Sequence, residues 1–528
     1  MTRFLRSALF ATVFAVPALI ATAGERSGPI RTITGNLTLD QAVQIALKQN
    51  PNILKALQQI EITRGQIIEV RAVALPHISL NADYNQLSRT LIERGERGAG
   101  GSTPPIDASQ FASIPGVTTG AAESIASALN ASLGNTTSQS ASQSSIGDKS
   151  WRVSVQATQV LYAGGQVRAA IRIAKFTDDS SYFSLLDTVD QTIATTRQQF
   201  YQVLLTRALI KVQEESVRLL QDQLKDQQNR FEAGTVPRFN VLQAEVQLAN
   251  QQPILIAARN NYLIAQYQLA KTLGLDPGPQ GTTTFNAVGD LTVHERPLGL
   301  KSAIQLGIER RPFLKVQRLS ILIQKEQIKV ALAGYKPQLN ANGGYEGRNS
   351  ALSDKLDDVV DGWFFGFTGQ WNIFDGLETY GKVKSARASL ESAKINYDDS
   401  VHQVELEVQQ AFANLQTARE TIRSQQKTVE QALEAVRLAT ERLAAGAGTQ
   451  LDVLNAQVQL TTARSTELQS RADYNTALAE FDRVTATDTV YAQTFDDPVV
   501  RGRVPKAVPV AKPAAKAAAA TPAPKKKR

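Results

Sequence analysis

Residues 442–460 read RLAAGAGTQLDVLNAQVQL and residues 230–248 read RFEAGTVPRFNVLQAEVQL, so one stretch occurs twice at a spacing of 212. The same shift superimposes Trp151 on Trp363, Gly164 on Gly376 and Tyr262 on Tyr474. From Asp40 to Tyr84 the matching shift is 261 instead, pairing Ala42 with Ala303, Pro51 with Pro312, Pro76 with Pro337 and Tyr84 with Tyr345. The two shifts differ by 49 because residues 85–150 in the first half stand against residues 346–362 in the second. The chain is a tandem duplication of one elongated unit with a loop of variable length, and such repetition is settled before any fold is assigned.

Upstream of each copy of the quoted stretch lies a long helical pattern. Val203, Ile210, Val217, Leu224 and Phe231 recur every seventh position, and Leu415, Ile422, Val429, Val436 and Leu443 repeat them 212 later. Such heptads specify coiled-coil packing. From Gln166 to Phe231 the helix is about 100 Å long at the α-helical rise. Gly234 and Gly446 end these helices as glycine does at a left-handed cap. Asn240 or Asp452 then opens a returning helix, to about Leu273 or Val484, with Pro253 expected to kink the first copy. Each half therefore ends as an antiparallel helical hairpin.

Towards the start of each half, LTLDQAVQIALKQNPNI gives a helix capped by Thr38 or Asp40 that breaks at Asn50-Pro51 and resumes towards Ala74. Then Ile78, Leu80, Ala82 and Tyr84 alternate with Ser79, Asn81, Asp83 and Asn85, as in a strand with one apolar face. Trp151, Val153, Val155 and Ala157 form a second such strand; Leu339, Ala341 and Tyr345, then Trp363, Phe365, Phe367, Trp371 and Ile373, form the matching pair. Alternation alone describes any sheet packed on a soluble core. Here the opposite face is Asn, Gln, Ser and Thr, and aromatic residues gather near strand ends, which is the pattern of a membrane barrel with girdles. The candidate girdle is Tyr84, Trp151, Tyr345, Trp363 and Trp371. Four strands are too few to enclose a conducting pore, so several chains must share one barrel.

The first 23 residues carry Arg3 and Arg6, an apolar run and Ala21-Thr22-Ala23, which reads as a cleavable secretory signal. No later segment is apolar enough for a helical span. Cysteine is absent, which removes disulfides, thiol chemistry and lipid attachment at a cysteine. The formal charge of +8 is peripheral: two arginines of the signal and nine basic residues after Pro498 account for it and leave the body at −3. No basic nucleic-acid face is implied. The expected organisation is a signal over 1–23, a first repeat over 24–275, a linker with a short strand over 276–298, a second repeat over 299–490 and a disordered basic Pro/Ala/Lys tail over 491–528. The segment 85–150 reads as a surface loop, with one short helix near Ala121–Leu133.

Gly376 to Val383 has the outline of a phosphate loop, but Val383 stands where a magnesium-binding hydroxyl belongs and Ala169 and Ala170 replace Gly381 and Lys382 in the other copy. His77, His294 and His402 form no metal spacing, and Asp354, Asp357, Asp358 and Asp361 read as a solvated loop. No nucleophile-and-base constellation stands out. The residues imply no enzyme, no cofactor and no metal site.

Taken in order and twice over, LTLDQAVQIALKQNP, the Pro-x-(Ile/Leu) strand openings, LYAGG and IFDG, and RxxAG with VLxAxVxL resemble the TolC-like outer-membrane efflux proteins over nearly all of the chain from residue 24 to 490. The resemblance implies an α+β membrane protein in the outer membrane: a homotrimer with a twelve-stranded β-barrel continuing into a periplasmic α-helical barrel. It implies the exit channel of a tripartite efflux or type I secretion system, a passive conduit partnered by a periplasmic adaptor and an inner-membrane transporter. The docking tips would be Gly234, Thr235, Val236 and Pro237 with Gly446, Ala447, Gly448 and Thr449. The periplasmic aperture would be lined by Asp452, Asn455 and Asn240, with Asp452 supplying charge as well as a cap. The alternative is a periplasmic coiled-coil adaptor or structural protein without a pore, which would lack the aromatic-ended hairpins.

Overall fold

The computed structural model describes residues 35–86, 127, 149–275, 285–293, 299–349 and 356–487. The signal, the expected 121–133 helix apart from residue 127, most of the 85–150 loop and the basic tail lie outside them.

Strand β1 (Gly35–Leu37) leads into α1 (Leu39–Gln49). Thr38, not Asp40, caps α1: its hydroxyl accepts from the Gln41 N–H at 3.4 Å while the Gln41 side chain accepts from the Thr38 N–H at 3.1 Å. Asn50 ends α1 and opens α2 (Pro51–Ala72), accepting from the Asn52 and Ile53 N–H groups. Proline at the first helical position needs no donor, so Pro51 suits a restart and forbids a continuation. Strands β2 (His77–Gln86) and β3 (Lys149–Ala163) follow, then α3 (Gln166–Glu232) and α4 (Arg238–Leu273). The second half runs from β4 (Phe285–Ala287) through α5 (Leu300–Arg310), α6 (Pro312–Leu332), β5 (Gln338–Asn349), β6 (Val359–Gln370) and α7 (Glu378–Ala444) to α8 (Gln450–Val484). Both long helices have 67 residues. Pro253 lies inside α4 without ending it.

The long helices α3 and α7 are flanked by different partners in their two halves. In the half that leads to the strands, α2 and α6 pack against α3, and α6 also packs against α7; in the other half α4 packs on α3, α8 on α3 and α7 on α8. The stacked helices meet end to end. Asn50 Nδ2 donates to the Thr272 carbonyl at 2.7 Å, joining the end of α4 to the start of α2. The apolar core includes Phe200, Leu204, Leu269, Leu273, Phe285 and Leu37 in one cluster, Val404, Val408, Leu415, Tyr474 and Phe481 in a second, and Ile53, Leu57, Leu185 and Ile193 in a third. Strand β4 pairs in parallel with β1, so the segment between the repeats is pinned to the start of the first. Further along, the heptad positions open: Val217 and Ile422 are buried, while Phe231 is 44% exposed.

Strand meets helix at a sharp corner. Gly164 and Gly376 take left-handed φ of 62° and 66°, and a Cβ on Gly164 would sit 2.8 Å from the Ala333 carbonyl oxygen. In the second copy Leu377 also stands at φ 72°, a strained angle for a residue with a Cβ. Asp375 steadies that corner by accepting from the Leu377 N–H at 3.1 Å and the Thr379 N–H at 2.8 Å.

Candidate functional site

Two regions can carry function, the sheet and the hairpin tips. The sheet has the order β2-β3-β5-β6, all antiparallel, so the repeats join at β3–β5. Register puts Leu80 beside Val155, Val155 beside Tyr345 and Tyr345 beside Trp363. Tyr84–Trp151, Gly343–Phe365 and Ala341–Phe367 fall on the same face. That face is bare: Trp363, Phe365 and Phe367 are 72%, 84% and 75% exposed. The other face carries Ser79, Asn81, Gln156, Thr158, Asn340, Asn342 and Thr368, with Phe364 across Gly344 as its aromatic exception. Ser154 on that side is buried while its neighbours Val153 and Val155 are exposed, so the polar side is the concave one. Water would demand the reverse.

The five aromatic residues of the expected girdle fall at different heights. Tyr84 and Trp151 pair near the far end of the strands, where Trp151 Nε1 donates to the Leu356 carbonyl at 3.0 Å. Tyr345 and Trp363 meet edge to face at 5.1 Å, four residues along β3 and so about 13 Å lower. Tyr345 also donates its hydroxyl to Asp361. Trp371 is not a strand residue: β6 stops at Gln370, and Trp371 Nε1 donates to the Tyr335 carbonyl at 3.1 Å, at the helical end of the sheet. The alternation from Trp363 to Ile373 overran because Asn372 and Asp375 start the corner there.

At the tips, Gly234 (φ 71°) and Gly446 (φ 72°) close the long helices. The Thr235 N–H reaches the Arg230 carbonyl and the Ala447 N–H the Arg442 carbonyl, at 2.9 and 2.8 Å. These bonds satisfy carbonyls that the helix ends leave open. Thr235, Pro237, Ala447 and Thr449 are exposed, and Val236 and Gly448 are half-buried. A Cβ on Gly448 would sit 3.2 Å from the Arg442 Cβ.

The returning helices start elsewhere than the sequence suggests. Thr449, not Asp452, is the cap of α8, and Asp452 is its partner in a reciprocal capping box. The spacing Thr-x-x-Asp is that of such a box, with aspartate in the place of the usual glutamate. In α4 the cap position is Pro237 and makes no side-chain bond, so Asn240 sits a turn inside the helix without opening it. Asp452 and Asn455 are both exposed, three residues apart and hence on one helix face. The Asp452 carboxyl is held below its ordinary range, first by the Thr449 N–H and then by the Thr449 hydroxyl.

Sequence reasoning missed the charges buried between the helices. Arg311 occupies in the second repeat the place of Asn50 in the first. It pairs with Glu407 of α7 at 2.6 Å, and Arg483 of α8 lies 3.8 Å from the same Glu407 oxygen. Burial raises the pKa of Asp187 on α3, against the pull of Arg311 and Arg483 and with help from Glu407. Burial also works to raise Glu407, but Gln403 and Arg311 outweigh it and the net shift is downward. Arg197 bridges α3 to Asp482 of α8 at 3.4 Å. The one available signal was the replacement of a neutral residue by arginine between otherwise matching copies.

The profile of the family described as Outer membrane efflux protein matches residues 102–275 and 303–487. Protein CyaE of Bordetella pertussis is 28% identical over 193 residues, 36% of this chain and 40% of that protein. Outer membrane efflux protein BepC of Brucella suis is 26% identical over 174 residues, 32% of this chain and 37% of that one. The chain thus aligns with less than half the length of either relative. The crystal structure of the Campylobacter jejuni CmeC outer membrane channel shares the fold, with a TM-score of 0.67 over 87% of this chain and 90% of that one at 16% identity. The match in both repeats covers more than half of the chain and includes both tips, three of the four sheet strands and all four long helices, so this protein belongs to the outer membrane efflux protein family.

Proposed function

We propose that three copies of this chain close a twelve-stranded barrel in the outer membrane and a helical tunnel beneath it, forming the passive exit duct of an efflux or type I secretion system. The observation that carries this reading is the inverted sheet, bare and apolar on its convex side, polar on its concave side. Such a sheet is stable where lipid lies outside and water within. Its edges β2 and β6 have no partner strand among the described residues, and a closed barrel leaves no edge unpaired. The helical layer ends likewise at α4 and α7. Along α4, Phe239, Leu242, Val246, Ile256 and Leu263 are exposed at coiled-coil spacing, a seam for a second copy.

In this reading the tips 234–237 and 446–449 meet a periplasmic adaptor, which couples the duct to an inner-membrane transporter. Asp452, Asn455 and Asn240 line the aperture, and three Asp452 carboxylates favour cations there. Tyr84, Trp151, Tyr345, Trp363 and Trp371 face lipid. Chemical cross-linking of detergent-extracted protein should stop at a trimer that conducts in planar bilayers. A monodisperse monomer with full strand content overturns the proposal.

A further inference from the structure

We propose that β6 of one chain binds β2 of a second copy in the register that the duplication dictates: Phe367 opposite Tyr84 of the partner subunit, Thr368 opposite the partner's Asp83 and Trp371 opposite the partner's Leu80. The inference rests on the channel reading above and names the residues that meet at its seams. The shifts of 261 and 212 that relate the repeats carry all ten β2–β3 pairs onto β5–β6 pairs, from His77–Thr158 onto Gln338–Gln370 to Gln86–Lys149 onto Gly347–Asp361. The two hairpins therefore share one register without a slip. The remaining junction is that between repeats, where Val155 stands opposite Tyr345, Gln156 opposite Gly344 and Gln159 opposite Ala341. Moving β3 forward onto β6 and β5 back onto β2 by the same shifts gives the three seam pairs.

The unequal lengths of matching strands ask for this partner independently. β3 runs to Ala163, whereas β6 stops at Gln370, the counterpart of Thr158. Thr158 is the last residue of β3 that β2 reaches, and beyond it Gln159–Ala163 pair with β5 alone, across a bulge at Leu161. Their counterparts, Trp371–Asp375, have no strand beside them among the described residues. Trp371 and Ile373 nevertheless continue the apolar alternation, 60% and 86% exposed. Backbone groups facing lipid must find partners, and β2 of the next copy supplies them, so β6 lengthens on assembly. The seam also joins like faces: Phe367 and Trp371 meet Tyr84 and Leu80 of the partner subunit on the apolar side, and Thr368 meets the partner's Asp83 on the polar side. A slip of one residue would set each against the opposite face. The Thr368 hydroxyl gives the partner's Asp83 a donor, and no like charges stand opposite in these pairs.

Cysteine is absent from the chain, so paired cysteines report the register without background. β2 and β6 stand at opposite edges of one chain's sheet, which makes a disulfide between them a link between chains. Directly opposite Cα atoms lie about 4.5–5.5 Å apart, within disulfide reach, whereas diagonal neighbours lie about 7–8 Å apart. Asp83→Cys/Thr368→Cys should therefore oxidise to a covalent trimer on non-reducing denaturing gels. It should do so at least about tenfold faster than Asn81→Cys/Thr368→Cys or Asn85→Cys/Thr368→Cys. Faster linkage of either offset pair overturns the register, and no interchain linkage from any pair in an assembled trimer overturns the seam. If the cysteine variants do not assemble, amide hydrogen exchange of the wild-type trimer decides: Trp371–Phe374 should exchange as slowly as their counterparts Gln159–Tyr162. Unprotected amides there overturn the lengthened strand. A wild-type protein that stays monomeric overturns the channel reading instead.

Discussion

Thr449 and Asp452 hold each other across the first turn of α8. The Thr449 N–H and hydroxyl both donate to Asp452 Oδ2, at 2.9 and 2.8 Å, and the Asp452 N–H donates back to Thr449 Oγ1 at 3.2 Å. The side chain that would line an aperture is thus the one whose oxygen completes the capping box. A substitution that keeps the oxygen and removes the charge separates the two roles.

Asp452→Asn should therefore leave thermal stability and trimer assembly nearly unchanged while lowering cation preference and divalent-ion block in planar-bilayer recordings. Because the Thr449 N–H holds the native carboxyl below its ordinary range, wild-type cation preference should persist as pH falls through the range where free carboxylates protonate. The stability it contributes is present above the unfolded-state pKa and is lost as pH falls through the lower folded value. Unaltered selectivity in an assembled Asn variant would leave Asp452 as a helix cap alone.

Asp187→Asn tests the opposite sign. Burial raises the folded-state pKa of Asp187, so the ionised carboxylate opposes folding at neutral pH, and stability rises as pH falls through the raised value. The Asn variant should melt above wild type at pH 7, with the gap closing under mild acid. A gap that widens on acidification would show that the Asp187 charge is wanted by Arg311 and Arg483 more than burial disfavours it.

Arg311→Met removes one partner of a largely buried pair and leaves Glu407 with the more distant Arg483 and the Gln403 amide. The expected cost is about 3 kcal/mol, at the low end for such a break because Glu407 is still 27% exposed. The Arg311→Met/Glu407→Met double variant should recover much of that loss, since neither charge is then left alone. Denaturant midpoints of the two variants give the comparison directly.

Phe365→Arg puts a charge in the middle of the bare face of the sheet. At mid-bilayer this costs about 2–4 kcal/mol per copy, whereas on a water-facing strand it would cost nearly nothing. Loss of the heat-resistant trimer band, with Thr368→Arg on the concave side retaining it, would distinguish lipid from water on the two faces.

The duplication made most of the fold legible, because two imperfect copies of each strand and heptad confirm one another. Alternation from Ile78 to Tyr84 and the heptads from Val203 are local signals, and local geometry decides them. The charges were illegible for the opposite reason. Arg152 meets Arg348 only because β3 pairs with β5 across the repeat boundary, and Arg311 meets Glu407 only because the α5–α6 break docks on α7. Neither pairing has a periodicity to announce it. At the tip the error was smaller: Asp452 looked like the cap because a carboxylate at a helix start usually is one, and the threonine three residues before it went unread.

Asn50 and Arg311 occupy the same station in successive repeats, one closing its helix end with an amide, the other with a buried ion pair. A ring assembled from unfused single repeats would have to place one residue at every station, charged everywhere or nowhere. Joining two repeats in one gene halves that symmetry, so alternate stations accumulate mutations independently. The neutral station can tolerate sequence drift, and the charged one can come under separate selection. Duplication here therefore does more than lengthen the chain: it allows matching positions of the two repeats to carry different contacts.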